Sequence, residues 1–139
     1  MACSPALLRM IDANLNRAAE ALRTMEDVAR FVLDHQTLSE QCKNLRHDLH
    51  AEIKRLPIPA GGLIASRDTS GDVGTSITNS SEHSRADVLS IAATAGSRAA
   101  QALRVLEESA KTLDPDAAKS IEAIRYRTYT ADQQLQLAF

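Results

Sequence analysis

The stretch Arg17-Ala18-Ala19-Glu20-Ala21-Leu22-Arg23-Thr24-Met25-Glu26-Asp27-Val28-Ala29-Arg30 returns as Arg98-Ala99-Ala100-Gln101-Ala102-Leu103-Arg104-Val105-Leu106-Glu107-Glu108-Ser109-Ala110-Lys111. Eight of the fourteen positions are identical at a fixed offset of 81. Self-similarity at a fixed spacing is a sign of a repeated structural unit. Both copies carry helix formers with apolar residues at three- and four-residue steps, so the repeated unit reads as an amphipathic helix.

Worked outward, the first copy extends to a seam of Leu8, Ile11, Leu15, Ala18, Leu22, Met25, Ala29 and Val32. Ser4-Pro5 ahead of it is a helix start, with a side-chain acceptor at the N-cap and proline in the first turn. Thr37-Leu38-Ser39-Glu40 reads as a capping box opening a second helix. The second seam is Leu38, Cys42, Leu45, Leu49, Glu52 and Leu56, with Ile53 taking over from Glu52. The second copy opens near Glu82 and gives the seam Leu89, Ala92, Gly96, Ala99, Leu103, Leu106, Ala110 and Leu113. Asp114-Pro115 restarts a helix whose seam is Ala117, Ile121, Ile124, Thr128, Ala131 and Leu135, each 79 places after its counterpart in the second helix. The expected architecture is all-α: one domain, a four-helix bundle of two duplicated hairpins (4–56 and 85–139) joined by a crossover at 57–84. The crossover holds four of the five glycines and two of the four prolines, and is too long for a routine connection.

Composition narrows the function. Aromatics are 3% of the chain, with no Trp, so stacking platforms for bases are scarce, and a formal charge of -2 supplies no field for a phosphate backbone. Nucleic acid is therefore not an expected partner. The two cysteines, Cys3 and Cys42, are too few for a disulfide framework or a zinc site. No basic n-region followed by an apolar run opens the chain, and no stretch reaches the roughly 18 apolar residues of a membrane span. A soluble cytoplasmic protein is the expectation.

Charged positions also repeat. Glu26 and Glu107 flank the first-helix seams, and Arg46 and Arg125 flank the second-helix seams. Like flanks meet in an antiparallel hairpin, which predicts the ion pairs Glu26–Arg46 and Glu107–Arg125 as structural contacts. Arg17 and Arg98, Arg23 and Arg104, and Arg30 and Lys111 fall on outward faces with Glu20 and Asp27. They read either as solvated ladders or as anion-binding walls beneath the crossover, a task that suits the planar arginine fork.

The crossover contains Arg67-Asp68-Thr69-Ser70-Gly71-Asp72-Val73-Gly74-Thr75. In one reading Asp68 and Asp72 share Mg²⁺, while Arg67, Gly74, Thr75 and backbone amides meet phosphate. In the other it is a polar loop using Asp and Gly for its turns.

These segments, with Asp12-Ala13-Asn14-Leu15-Asn16-Arg17, Glu20-Ala21-Leu22-Arg23, Glu26-Asp27-Val28-Ala29-Arg30-Phe31, Leu45-Arg46-His47-Asp48-Leu49 and Ala102-Leu103-Arg104-Val105-Leu106-Glu107-Glu108, resemble a known family. It is the helical N-terminal domain attached to some bacterial thiamine-phosphate synthases (thiamine-phosphate pyrophosphorylases). The resemblance spans nearly the whole chain. It implies a domain of a transferase in thiamine biosynthesis whose coupling step belongs to a (β/α)₈ barrel, present in cis or in trans. That step joins hydroxymethylpyrimidine diphosphate to thiazole phosphate; no βαβ alternation occurs in this sequence to supply such a barrel.

The helical domain has been regarded as a second type of hydroxymethylpyrimidine-phosphate kinase. That implies a phosphorylated pyrimidine as ligand, ATP as co-substrate and Mg²⁺ as metal. Arg67, Gly74 and Thr75 would hold phosphate, Asp68 and Asp72 the metal, and Asn14, Arg17, Glu20 and Arg23 would border the pyrimidine or a second phosphate. The copies differ here: Ala95 stands for Asn14, and Gly96-Ser97 for Leu15-Asn16, leaving Asn14, Arg17 and Glu20 as the better wall. The alternative is a non-catalytic docking or dimerisation module for the barrel; the apolar seam can close one chain or join two copies as a homodimer.

Overall fold

The structure is a computed structural model that describes residues 3–139, and among these it is helical with no strand. The reading of the chain's start as free of a signal falls partly on Met1 and Ala2, outside the described residues. Four long helices dominate: α1 (Pro5–Asp27), α2 (Gln36–Lys54), α4 (Val88–Lys111) and α5 (Pro115–Leu137). Between α2 and α4 lie a single helical turn, α3 (Gly62–Ala65), and a 3₁₀ turn (Ser80–His83). Helix α1 packs on α2 and α4, and α5 packs on α4 and α2, so each long helix has two long neighbours. Glu20 meets Arg98 while Asn14 and Val105 line one groove, which makes α1 and α4 antiparallel.

The shared core follows the seams. Leu22, Met25, Leu45, Leu49, Leu103, Leu106, Ile121 and Leu135 are fully or almost fully buried, and no aromatic side chain joins them. Ile53, not Glu52, continues the second seam, as expected. An aliphatic core of this kind needs small residues where helices approach. Gly96 is the clearest case: a Cβ there would collide with the Asp132 carboxylate on α5. Gly96→Ala is expected to change stability by no more than about 1 kcal/mol in urea melts, because the Asp132 carboxylate must shift while alanine gains about 1 kcal/mol of helix propensity. Asp132→Ala in the same chain removes the obstacle and should leave that gain unopposed.

The helix starts follow from local chemistry. Ser4 Oγ accepts from the Leu7 amide at 3.2 Å, and Asp114 Oδ1 accepts from the amides of Asp116 and Ala117 at 3.0 and 3.3 Å. Two expectations need correction. The capping box at Thr37–Glu40 does not form: α2 begins at Gln36, and His35 Nδ1 accepts from the Leu38 amide at 3.1 Å. The imidazole reaches the orphan donor first and leaves Thr37 within the opening turn. The helix of the second copy starts at Val88, capped by Asp87, rather than near Glu82, which sits in the 3₁₀ turn.

The end of α1 is also altered. A π turn (Val28–Val32) widens the helix, and a wider turn rotates every later side chain out of the 3.6-residue register. Val32 is 49% exposed, and Leu33 packs on the core in its place. The chain then stops with Asp34 at φ 49°, in the left-handed region, while the His35 amide returns to the Ala29 carbonyl at 2.8 Å. Glycine suits that position better than any residue with a Cβ. Asp34→Gly is accordingly expected to raise stability by up to about 1 kcal/mol in the same urea melts.

Candidate functional site

The two predicted cross-hairpin ion pairs are present. Arg46 Nη2 lies 3.0 Å from Glu26 Oε1, and Arg125 Nε lies 2.8 Å from Glu107 Oε1. Both carboxylates are buried, at 5% and 1% exposure. The second pair is the better made. Hydrogen bonding to Glu107 holds the Arg125 guanidinium well above its ordinary pKa, and the group stacks on Tyr126 at 4.9 Å. Arg46 uses only its outer nitrogen and leaves Nε buried without a partner. These contacts tie α1 to α2 and α4 to α5, and their partners are committed to each other.

The outward faces build something different. Because α1 and α4 run antiparallel, Arg17 and Glu20 stand across a single groove from Arg98 and Gln101. The groove measures about 400 Å³ and is also lined by Asn14, Ala102 and Val105. The repeated arginines, 81 places apart, thus face one shared space rather than two separate walls. Arg98 Nη2 donates to both Glu20 oxygens at 3.1 and 3.2 Å, and Thr24 Oγ1 donates to Glu20 Oε1 at 2.9 Å. Arg17 makes no ion pair among the described residues. Asn14 is buried and donates to the Met10 carbonyl at 2.9 Å, which leaves its side-chain oxygen as an acceptor toward the groove it lines. Arg23 is exposed and lies off this stripe, which continues from Glu20 to Thr24.

The crossover follows α1. Arg67 Nε and Nη2 donate to the two Asp12 oxygens at 2.6 and 3.0 Å, a fork-on-fork contact that pins the strip to α1. Hydrogen bonding and charge from Asp12 raise the Arg67 pKa. Farther on, Glu82, His83, Ser84 and Arg85 line an open hollow together with Glu20, Thr24 and Arg98, next to one end of the groove. Arg67→Ala is expected to lower global stability by about 1–3 kcal/mol in urea melts, because it strands the Asp12 carboxylate, which is 7% exposed. It should also speed amide hydrogen exchange across 62–75, because the crossover loses its tether.

Between these anchors the Arg67–Thr75 run is exposed and held by turn bonds. Asp68 Oδ1 accepts from the Gly71 amide at 3.0 Å, and Asp72 Oδ1 from the Gly74 amide at 2.8 Å. Thr75 Oγ1 donates to the Asp72 carbonyl at 3.2 Å. No group of three or more His, Cys, Asp or Glu gathers as a metal cage among the described residues. Sequence reading passed over Asp12 as a functional group. Its signal was present, a carboxylate just one step from the seam residue Ile11, but its partner is 55 residues away across an aperiodic segment.

The chain spans about a third of the length of the curated relatives it matches. A thiamine-phosphate synthase of Rhodopirellula baltica is 49% identical over 134 residues, covering 96% of this chain and 35% of that protein. The thiamine-phosphate synthase of a Synechocystis species is 42% identical, covering 94% of this chain and 36% of the relative; that of Nostoc punctiforme is 41% identical, covering 91% and 34%. No solved structure matches. No helix among the described residues is long and apolar enough to cross a membrane. The model of the ThiD2 family matches residues 9–134, and the chain belongs to that family, a domain of thiamine biosynthesis shared with thiamine-phosphate synthases.

Proposed function

We propose that the domain binds hydroxymethylpyrimidine phosphate in the α1–α4 groove and phosphorylates it with Mg-ATP. The observation that carries this reading is the pair of arginines, Arg17 and Arg98, facing one groove beside the acceptor oxygen of Asn14. Two guanidinium groups suit a ligand with phosphate, and an amide oxygen suits the exocyclic amine of a pyrimidine. Phosphoryl transfer asks a protein mainly for positioning and charge neutralisation. Mg²⁺ takes only one or two protein carboxylates and completes its shell with phosphate and water, so Asp68 and Asp72 fit it as hard oxygen donors. Bound there, the ion would neutralise charge on the transferring phosphates. Arg67, Gly74 and Thr75 would lie beside it, and Arg23 would stand outside the groove.

The same reading takes the long helices as a four-helix bundle of two duplicated hairpins, with the groove on the approximate two-fold axis between the copies. A non-catalytic role, docking a synthase barrel or a second copy, is favoured by one observation: the Arg67–Thr75 run spends its polar groups on Asp12 and on its own turns. The test is to incubate the purified domain with hydroxymethylpyrimidine phosphate, ATP and Mg²⁺ beside a working kinase. Appearance of the diphosphate supports catalysis, and its absence while the control turns over removes it.

A further inference from the structure

A second cleft lies at the opposite edge of α1, away from α4. After α2 the chain packs Leu56 into the core and turns at Gly61, whose φ is +74°. It then folds back as a flap that brings α3 against α1. Under the flap is a cleft of about 510 Å³. Leu15, Ile53, Ile58 and Leu63 form its walls, and His50 and Lys54 are its ionisable groups. That volume falls in the range of small-molecule sites, which pair apolar walls with a few polar groups.

Its charge distinguishes it from the other large clefts. Glu20 stands in the α1–α4 groove, and Glu26, Asp34 and Glu40 line the cleft at the α1–α2 turn. No carboxylate lines the cleft under the flap. Lys54 makes no ion pair among the described residues. Burial first, and then the charges of Arg46, His47 and Lys54, lower the His50 pKa, which favours the neutral ring whose N–H can still donate. In the second copy, Gly96 and Asp132 stand where repeat spacing would put Leu15 and Ile53, so the apolar walls are not repeated there.

We propose that the cleft under the Ile58–Ile64 flap binds a small molecule with a compact apolar or heteroaromatic body and one anionic group, the body against Leu15, Ile53, Ile58 and Leu63 and the anion at Lys54 and His50. The site is separate from the α1–α4 groove, and its test does not depend on the kinase reading.

Phenyl phosphate is a suitable probe, with benzyl alcohol as its uncharged counterpart. Two-dimensional amide spectra of the whole chain, titrated with each, read the outcome. Phenyl phosphate is expected to shift resonances of His50–Leu56 and Ile58–Ile64. Lys54→Gln, an exposed change that leaves the fold intact, should weaken it about tenfold or more, and benzyl alcohol should be weaker by a similar factor. Shifts confined to Asn14–Glu20 and Arg98–Val105, no shifts at all, or Lys54→Gln titrating like the parent chain would each overturn the proposal.

Discussion

Arg125→Ala is expected to lower stability by about 3–5 kcal/mol, the range found when one partner of a buried ion pair is removed. Glu107 is 1% exposed and takes its shortest contact from Arg125 Nε. Its other oxygen reaches only Arg104 at 3.3 Å and Lys111 at 3.9 Å, both on its own helix and about half exposed. Without Arg125 that carboxylate stays buried with weak compensation, and the contacts to Tyr126 and Tyr129 go as well. Arg46→Ala should cost distinctly less. Arg46 is less buried than Arg125, holds Glu26 through one nitrogen, and already leaves Nε without a partner. Replacing Glu107 and Arg125 together by leucine and methionine should restore much of the loss, since an apolar pair of similar volume removes the stranded charge. Urea denaturation of the four proteins checks the order. Equal losses for Arg46→Ala and Arg125→Ala would contradict the unequal geometry described here.

The second large effect concerns the groove. Arg17→Ala and Arg98→Ala should each weaken binding of hydroxymethylpyrimidine phosphate by about 10- to 100-fold, the loss of a hydrogen bond to a charged group. Arg98→Ala should be the more damaging. It removes a cation and also frees Glu20, which Arg98 and Thr24 now hold, to repel an incoming phosphate. Arg98→Ala combined with Glu20→Gln should therefore bind better than Arg98→Ala alone. Calorimetric titration gives the four constants, and thermal melts should show little change, since these side chains sit at the surface. Equal affinities in all four proteins would place the ligand elsewhere.

Which features could be read from the sequence follows from the range of each interaction. The seam through Ile11, Ala18, Leu22 and Met25, and the pairs Glu26–Arg46 and Glu107–Arg125, depend on helical periodicity and a short hairpin turn, both regular enough to count along. The exit from α1 was not countable. A π turn changes the count itself, which is why Val32 was misplaced, and His35 displaced the expected Thr37 cap by capping the Leu38 amide and starting the helix one residue before Thr37. Arg67–Asp12 joins an aperiodic strip to a helix, so nothing in the spacing announces it. The groove was half visible. Repetition singled out Arg17 and Arg98, but their convergence required the antiparallel contact between α1 and α4.

The central claim is that the space between Arg17 and Arg98 receives the phosphorylated pyrimidine. Its most direct measurement is an amide chemical-shift titration of the purified chain with hydroxymethylpyrimidine phosphate, without nucleotide, compared with Arg98→Ala. The account predicts saturable shifts centred on Asn14–Glu20 and Arg98–Val105 that are lost or strongly weakened in Arg98→Ala. Saturable shifts centred elsewhere on the chain, or identical titrations in the two proteins, would contradict it.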